Sequence, residues 1–181
     1  TASEQLDTRI NTGENLTSNK NYVLDLESYS VIRDRIMSGL NEYVNNILCT
    51  SPEHEFYLTQ SWLNFNPPGS KHHRHHHANS IISGVYYIDT VETDEIKFVS
   101  NTINTTVTNN STLEIDVVNY NMANSNAWSV PVNRNSIIYF PSTTPHEVSP
   151  NNSDKTRISL SFNVFVRGTF GSSSALNELK L

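Results

Sequence analysis

From Phe56 onward the chain is a succession of short β-patterned runs separated by turn residues, and only one earlier segment has a helical period. The longer runs are Phe56–Phe65, Ile81–Asp89 and Arg157–Val166, with shorter ones at Glu95–Val99, Leu113–Val118, Ala127–Val132 and Ser136–Phe140. Tyr22–Leu26 reads as a further short strand. Pro67-Pro68-Gly69, Glu92-Thr93-Asp94 and Asn133-Arg134-Asn135 supply turns between them. The helical segment lies near 30–48, where Val31, Ile32, Ile36, Leu40, Tyr43, Val44 and Ile47 recur every three or four residues. Ser28 or Ser30 is its expected N-cap, and Ser51-Pro52 ends it. One helix followed by about eight short strands predicts a mainly β protein, a double-stranded β-helix of the jelly-roll kind. The expected organisation is a polar arm over 1–20, one jelly-roll domain over 21–168 and a polar, mobile tail over 169–181. Residues 100–112 are almost wholly Asn, Thr and Ser and read as a loop.

Composition narrows the function classes. The chain has 181 residues, enough for one complete core, and a formal net charge of −6, which disfavours general attraction to nucleic-acid phosphates. No run approaches the ~20 apolar residues of a membrane span. No basic stretch followed by an apolar one opens the sequence, so a cytoplasmic location is expected, in the host cytoplasm if a phage encodes the chain. Cys49 is the single cysteine, which excludes an internal disulfide, and its apolar surroundings suggest a buried filler. Edge strands offer a route to a homodimer.

The chemistry concentrates in histidine. Five of the seven histidines lie between His72 and His77, and His146 follows Phe140-Pro141-Ser142 about seventy positions later. Residues two apart on a strand share a face, so His75 and His77 point one way and His76 the other. If that strand ran on without a bulge, Asn79, Ile81, Ser83, Val85 and Tyr87 would share the inward face. Imidazole suits Fe, Zn, Cu or Ni, and an H-x-H pair joined by one distant histidine gives three ligands on one face of an ion. Trp62 reads as core packing. Asp89 and Glu95 flank a turn and read as solvated, and Gly84 as a point of close packing.

Several blocks carry a family resemblance. They are Gln60-Ser61-Trp62-Leu63-Asn64, Pro68-Gly69, His75-x-His77-x-Asn79-Ser80, Ile82-Ser83-Gly84-Val85-Tyr86-Tyr87, Tyr139-Phe140-Pro141-Ser142, Pro145-His146-Glu147-Val148 and Arg157-Ile158-Ser159-Leu160-Ser161-Phe162-Asn163. Their order and spacing resemble the iron(II)/2-oxoglutarate-dependent oxygenases, and most of all the small bacterial and phage members with an H-x-H…H motif. The resemblance implies iron ligands at His75 and His146. Where the superfamily usually has Asp or Glu as third ligand, this chain has His77. The resemblance further implies that Arg157, with Ser159 and Tyr87, holds the far carboxylate of 2-oxoglutarate. A guanidinium suits that task because it offers parallel donors to a planar carboxylate. Asn64 is expected near the metal-proximal end of the cosubstrate and Asn163 near the iron.

The implied cofactors are Fe(II), 2-oxoglutarate and O2. The implied reaction converts 2-oxoglutarate to succinate and CO2 while hydroxylating a substrate that is a small molecule or a protein side chain. Two alternatives stand beside it. One is a cupin-like three-histidine metalloenzyme that does not use 2-oxoglutarate. The other is a non-catalytic, phage-associated binding module on the same barrel.

Overall fold

The computed structural model describes residues 7–99, 116–121 and 124–181. Its helix α1 spans Ser30–Glu42 and runs on into a π-helical turn over Tyr43–Ile47, as the apolar period predicts. Neither serine caps it; Tyr29 occupies the N-cap position and makes no side-chain cap bond. The segment expected to be a strand at Tyr22–Leu26 is instead a 3-10 turn over Val23–Asp25. Val23 and Leu24 are both buried there, so the apolar signal is genuine and serves a helical turn that leads into α1.

Twelve strands follow in chain order among the described residues: β1 Thr8–Ile10, β2 Leu16–Ser18, β3 Glu55–Asn66, β4 His72–His75, β5 Ile82–Asp89, β6 Glu95–Val99, β7 Ala127–Pro131, β8 Ile137–Pro141, β9 His146–Val148, β10 Arg157–Arg167, β11 Thr169–Phe170 and β12 Leu179–Lys180. Six form a major sheet in the order β1-β2-β3-β10-β5-β8, and four a minor sheet in the order β4-β9-β6-β7. Every strand pairing in both is antiparallel. This is the jelly-roll barrel expected from the pattern. The loop expected at 100–112 lies outside the described residues, as do the first three residues of the strand expected over Leu113–Val118, and Asp116–Val118 are not in a strand.

The period of two along β10 and β5 separates two environments. Leu160, Phe162 and Val164 of β10, with Ile82 and Tyr86 of β5, form one core with Val23, Leu24, Ile36, Leu40 and Val44. That core glues α1 to the outer face of the major sheet. Burying each of the larger aliphatic or aromatic side chains contributes about 1.5–3 kcal/mol. Alternate residues of the same strands, Arg157, Ser159, Ser161 and Asn163 with Val85 and Tyr87, line a cavity between the two sheets. A smaller cluster of Tyr87, Ile96, Val132 and Phe140 closes the barrel interior. Gly84 is where the two layers come closest. A Cβ built there would lie 2.2 Å from the Phe162 ring and 2.8 Å from the Ile138 carbonyl, so only glycine lets this fully buried ring cross β5.

Both ends of the chain are more structured than their polarity suggests. The arm expected over 1–20 contains the hairpin β1–β2, which extends the major sheet through Leu16 opposite Phe65 and Thr17 opposite Asn64. The hairpin turn presses on the start of β4. Lys71 N donates to Gly13 O at 2.9 Å, and a Cβ at Gly13 would sit 1.8 Å from Lys71 O. The tail folds as the short hairpin β11–β12. Cys49 is exposed rather than buried, at a positive φ of 50° just beyond the helix end. Among the described residues no helix is long and apolar enough to cross a membrane.

Candidate metal centre and its cavity

Two strands of the minor sheet bring the histidines together. His75, the last residue of β4, is registered directly opposite His146, the first of β9. His77 lies just past the end of β4, where its backbone N–H donates to Ser142 O at 2.9 Å. One potential ligand atom from each of His75, His77 and His146 lies within 4.8 Å of the others. Two aromatic rings border the group: Phe140 packs edge-on against His146 at 4.7 Å, and Trp62 tilts against His77 at 5.7 Å. Trp62, expected as core, is a cavity wall.

The far ring nitrogens decide whether this group can hold an ion. Nδ1 of His75 faces His73 O at 2.7 Å, Nδ1 of His146 faces Thr144 O at 3.0 Å, and Nδ1 of His77 faces the side-chain oxygen of Asn163. Carbonyl and amide oxygens only accept, so each Nδ1 carries the proton and each Nε2 keeps a free lone pair. That is the tautomer a metal needs, fixed by an outer partner at each ring. Burial lowers the pKa of all three below the ordinary 6.5, with His146 brought down to about 4. Neutral imidazole is the ligating form, so the rings stand ready to bind at neutral pH. Three neutral nitrogen donors fit a first-row divalent ion such as iron.

The cavity runs from this group along β10 to Arg157 and has a volume of about 380 Å³, within the range typical of ligand sites. Register orders its walls. Ser159 lies opposite both Tyr87 and Asn64, and Arg157 opposite Asn66. Arg157 sits at the end away from the histidines with two nitrogens engaged. Nη1 pairs with Asp94 Oδ1 at 2.7 Å and Nη2 donates to Ser149 O at 3.0 Å. A guanidinium has five N–H donors, so three remain for a ligand. Tyr87 is buried, and burial followed by the Asp94 charge raises its hydroxyl pKa, keeping it a proton donor. Asn64 donates to Ser161 Oγ at 2.9 Å and lines the cavity. Asn163 is beside the histidines, as expected.

Several site residues were not singled out from sequence. Asp94, read as a turn residue, is buried, and its Oδ2 also accepts from Val91 N at 2.8 Å. His72, half-buried, donates its Nε2–H to Asn66 Oδ1 at 3.0 Å. Burial, then the neighbouring His75 imidazole and Arg157 guanidinium, lower its pKa to about 3. The hairpin adds Arg9, Asn11 and Thr17 to the lining. Thr17 Oγ1 and Asn66 Nδ2 are buried without a hydrogen-bond partner, so the wall near Arg157 holds polar groups that a ligand can satisfy. Asn79 and Ile81, by contrast, do not share the inward face. Asn79 takes a positive φ of 54° and Ile81 is 42% exposed, because the chain breaks between β4 and β5. Asp89 is exposed, as expected.

The buried rings make stability pH-dependent in a definite direction. Unfolding returns His72 and His146 to their ordinary pKa, so the unfolded chain binds more protons between about pH 3–4 and 6.5. Their contribution is complete above pH 6.5 and shrinks as pH falls toward 4. Urea unfolding of the metal-free protein is expected to show a midpoint that drops across this window. A flat profile would contradict the burial of these imidazoles.

A family model described as "Putative 2OG-Fe(II) oxygenase" matches residues 60–163. The match covers more than half of the chain, and the chain belongs to this family of oxygenases. It is an enzyme whose family uses Fe(II), 2-oxoglutarate and O2. Solved structures share the barrel. A 2OG-Fe(II) oxygenase-family oxidoreductase from Burkholderia pseudomallei is 10% identical with a TM-score of 0.59, over 88% of this chain and 72% of that one. A Pseudomonas putida prolyl-4-hydroxylase is 16% identical with a TM-score of 0.54, over 87% and 77%. The non-heme alpha ketoglutarate dependent epimerase SnoN from nogalamycin biosynthesis is 14% identical with a TM-score of 0.61, over 91% and 68%. At such identities the likeness establishes the fold. No curated protein matches the sequence.

Proposed function

We propose that the chain is an Fe(II)/2-oxoglutarate-dependent dioxygenase that hydroxylates a C–H bond of its substrate. The observation that carries this reading is the pairing, within one cavity, of three imidazoles with free Nε2 atoms and a guanidinium at the opposite end. His75, His77 and His146 would hold the iron. Bound iron, 2-oxoglutarate and O2 would together supply the oxidising chemistry, one oxygen atom of O2 going to succinate and the other to the hydroxylated product, with CO2 released.

The remaining work belongs to the protein. Arg157 neutralises and orients the far carboxylate of 2-oxoglutarate, and Tyr87 and Ser159, adjacent in register, add hydroxyl donors to it. Asp94 keeps the guanidinium from swinging out of the wall. Asn64 lines the path between the two ends. Phe140, Val85 and Trp62 limit water around the histidines. The substrate is a small molecule or a protein side chain admitted on the hairpin side of the cavity.

The test is anaerobic titration of the Fe(II)-loaded protein with 2-oxoglutarate, followed by the weak visible metal-to-ligand charge-transfer band. A saturable band is expected. Iron bound with no band would end this reading and favour the cupin-like three-histidine alternative, for which the engagement of Arg157 by Asp94 is the one favourable observation.

A further inference from the structure

We propose that Asn163 is the positioning residue for the third metal ligand, His77, and that a chain of buried serine hydroxyls holds it in that role. The inference rests on the three-histidine metal site and does not require 2-oxoglutarate to be the cosubstrate.

His77 differs from its two partners in how it is anchored. Nδ1 of His75 and Nδ1 of His146 each face a backbone carbonyl two residues away. Those contacts are local and follow from the course of the chain itself. Nδ1 of His77 faces the side-chain Oδ1 of Asn163, eighty-six positions further on. His77 also lies beyond the end of β4, without a ladder partner to fix its backbone. The hydrogen bond to its ring therefore comes from one distant amide.

The fold builds that amide in place. Asn163 is 8% exposed and stands at a register shift, where β10 advances from Phe162 opposite Ser61 to Val164 opposite Leu58. One extra residue of β3 is taken up opposite Asn163, which keeps the inward parity of Arg157, Ser159 and Ser161 on β10. Thr59 Oγ1 donates to the Asn163 carbonyl at 3.2 Å across the bulge. On the other side Asn163 is registered opposite Ser83, whose Oγ donates to the same Oδ1 at 2.9 Å. Ser83 Oγ is also 2.8 Å from Ser142 Oγ, and Ser142 Oγ is 2.8 Å from Ser80 Oγ.

Ser142 closes the loop. Its backbone carbonyl accepts the N–H of His77, and its own N–H donates to Ile81 O at 2.9 Å. The backbone and the ring of His77 are thus tied to the same buried network, which also reaches the turn leading to His146. The network is uncharged throughout. It orients an imidazole that stands where relatives of this superfamily carry a carboxylate, and it does so without adding negative charge. The amide Nδ2 of Asn163 makes no hydrogen bond among the described residues, and the residue lines the cavity, so it offers a donor next to the ligands.

The test is metal affinity, measured by competition of the protein with a chromogenic chelator for Co(II), together with the cobalt d–d spectrum. Asn163→Ala is expected to weaken Co(II) binding roughly 10–100-fold, the range for loss of an outer partner of a metal-bound histidine. Asn163→Asp keeps an acceptor at Oδ1 and is expected to restore affinity to within about threefold of wild type while shifting the spectrum, as added charge on the ring's partner strengthens the nitrogen donor. Ser83→Ala, which removes one donor to Oδ1, is expected to fall between. Wild-type affinity in a folded Asn163→Ala, or equal losses in the Ala and Asp variants, would overturn the proposal. If Asn163→Ala does not fold, the Asp and Ser83 variants decide it: Asp must retain affinity and Ser83→Ala must lose some. A protein that binds Co(II) in this pattern yet gives no band with Fe(II) and 2-oxoglutarate would retire the oxygenase reading and leave this one standing.

Discussion

His146→Ala is expected to abolish 2-oxoglutarate turnover and to weaken divalent-metal binding far beyond the effect of any outer-shell change. The reasoning is one of donor number. With three imidazoles the ion is held from one side; with two it is held like any surface pair. Losing an outer partner costs roughly 10–100-fold in affinity, so losing a ligand must exceed that range. Among the described residues the ring makes one hydrogen bond, to Thr144 O, so its loss breaks no buried polar network there. The matched control is His76→Ala. His76 lies in the same run but is exposed, and its removal is expected to leave both metal binding and turnover unchanged. Chelator competition on the two variants checks this directly. Equal behaviour of the two would mean that the histidine run binds metal without a defined ligand set.

Arg157→Leu is expected to act twice, and the two effects can be separated. Removing the guanidinium takes the principal charge partner from the far carboxylate of 2-oxoglutarate. Truncating one member of a buried, hydrogen-bonded charge pair typically costs about 2–5 kcal/mol, so cosubstrate affinity should fall about a hundredfold or more. The same change strands Asp94, whose side chain is only 5% exposed. Breaking a buried pair by removing one partner destabilises by about 3–5 kcal/mol, because the survivor keeps a charge without compensation. Adding Asp94→Asn removes that charge. The double variant should recover most of the lost stability in urea unfolding and none of the lost cosubstrate affinity. Recovery of both would show that Arg157 serves the fold alone.

The barrel was readable from sequence because its strands obey a strict alternation and its turns carry Pro, Gly and Asn where they are needed. The clustering of His75, His77 and His146 was readable too, though the route to Tyr87 was not the one expected. The strand does not run unbroken from His75; it stops, turns at Asn79 and resumes at Ile82. Ser83, Val85 and Tyr87 still serve the cavity side because the intervening segment restores the phase. What stayed hidden depends on distant pairing. Asp94 looks like any turn acid until β10 delivers Arg157 beside it. The hairpin β1–β2 has too few apolar residues to declare itself, and its strands exist because β3 offers an edge. Cys49 looked buried because the helical period runs up to it, but the helix ends first. Asn163 could be placed near the histidines by position, while its bond to His77 spans eighty-six positions and no local pattern announces it.

Part of the cavity wall comes from the hairpin that precedes residue 60, outside the stretch that defines the family. The histidine-bearing strands and this part of the cavity wall thus come from separate stretches of the polypeptide. Substitutions at Arg9 or Asn11 would therefore reshape the cavity wall while leaving the three histidines untouched.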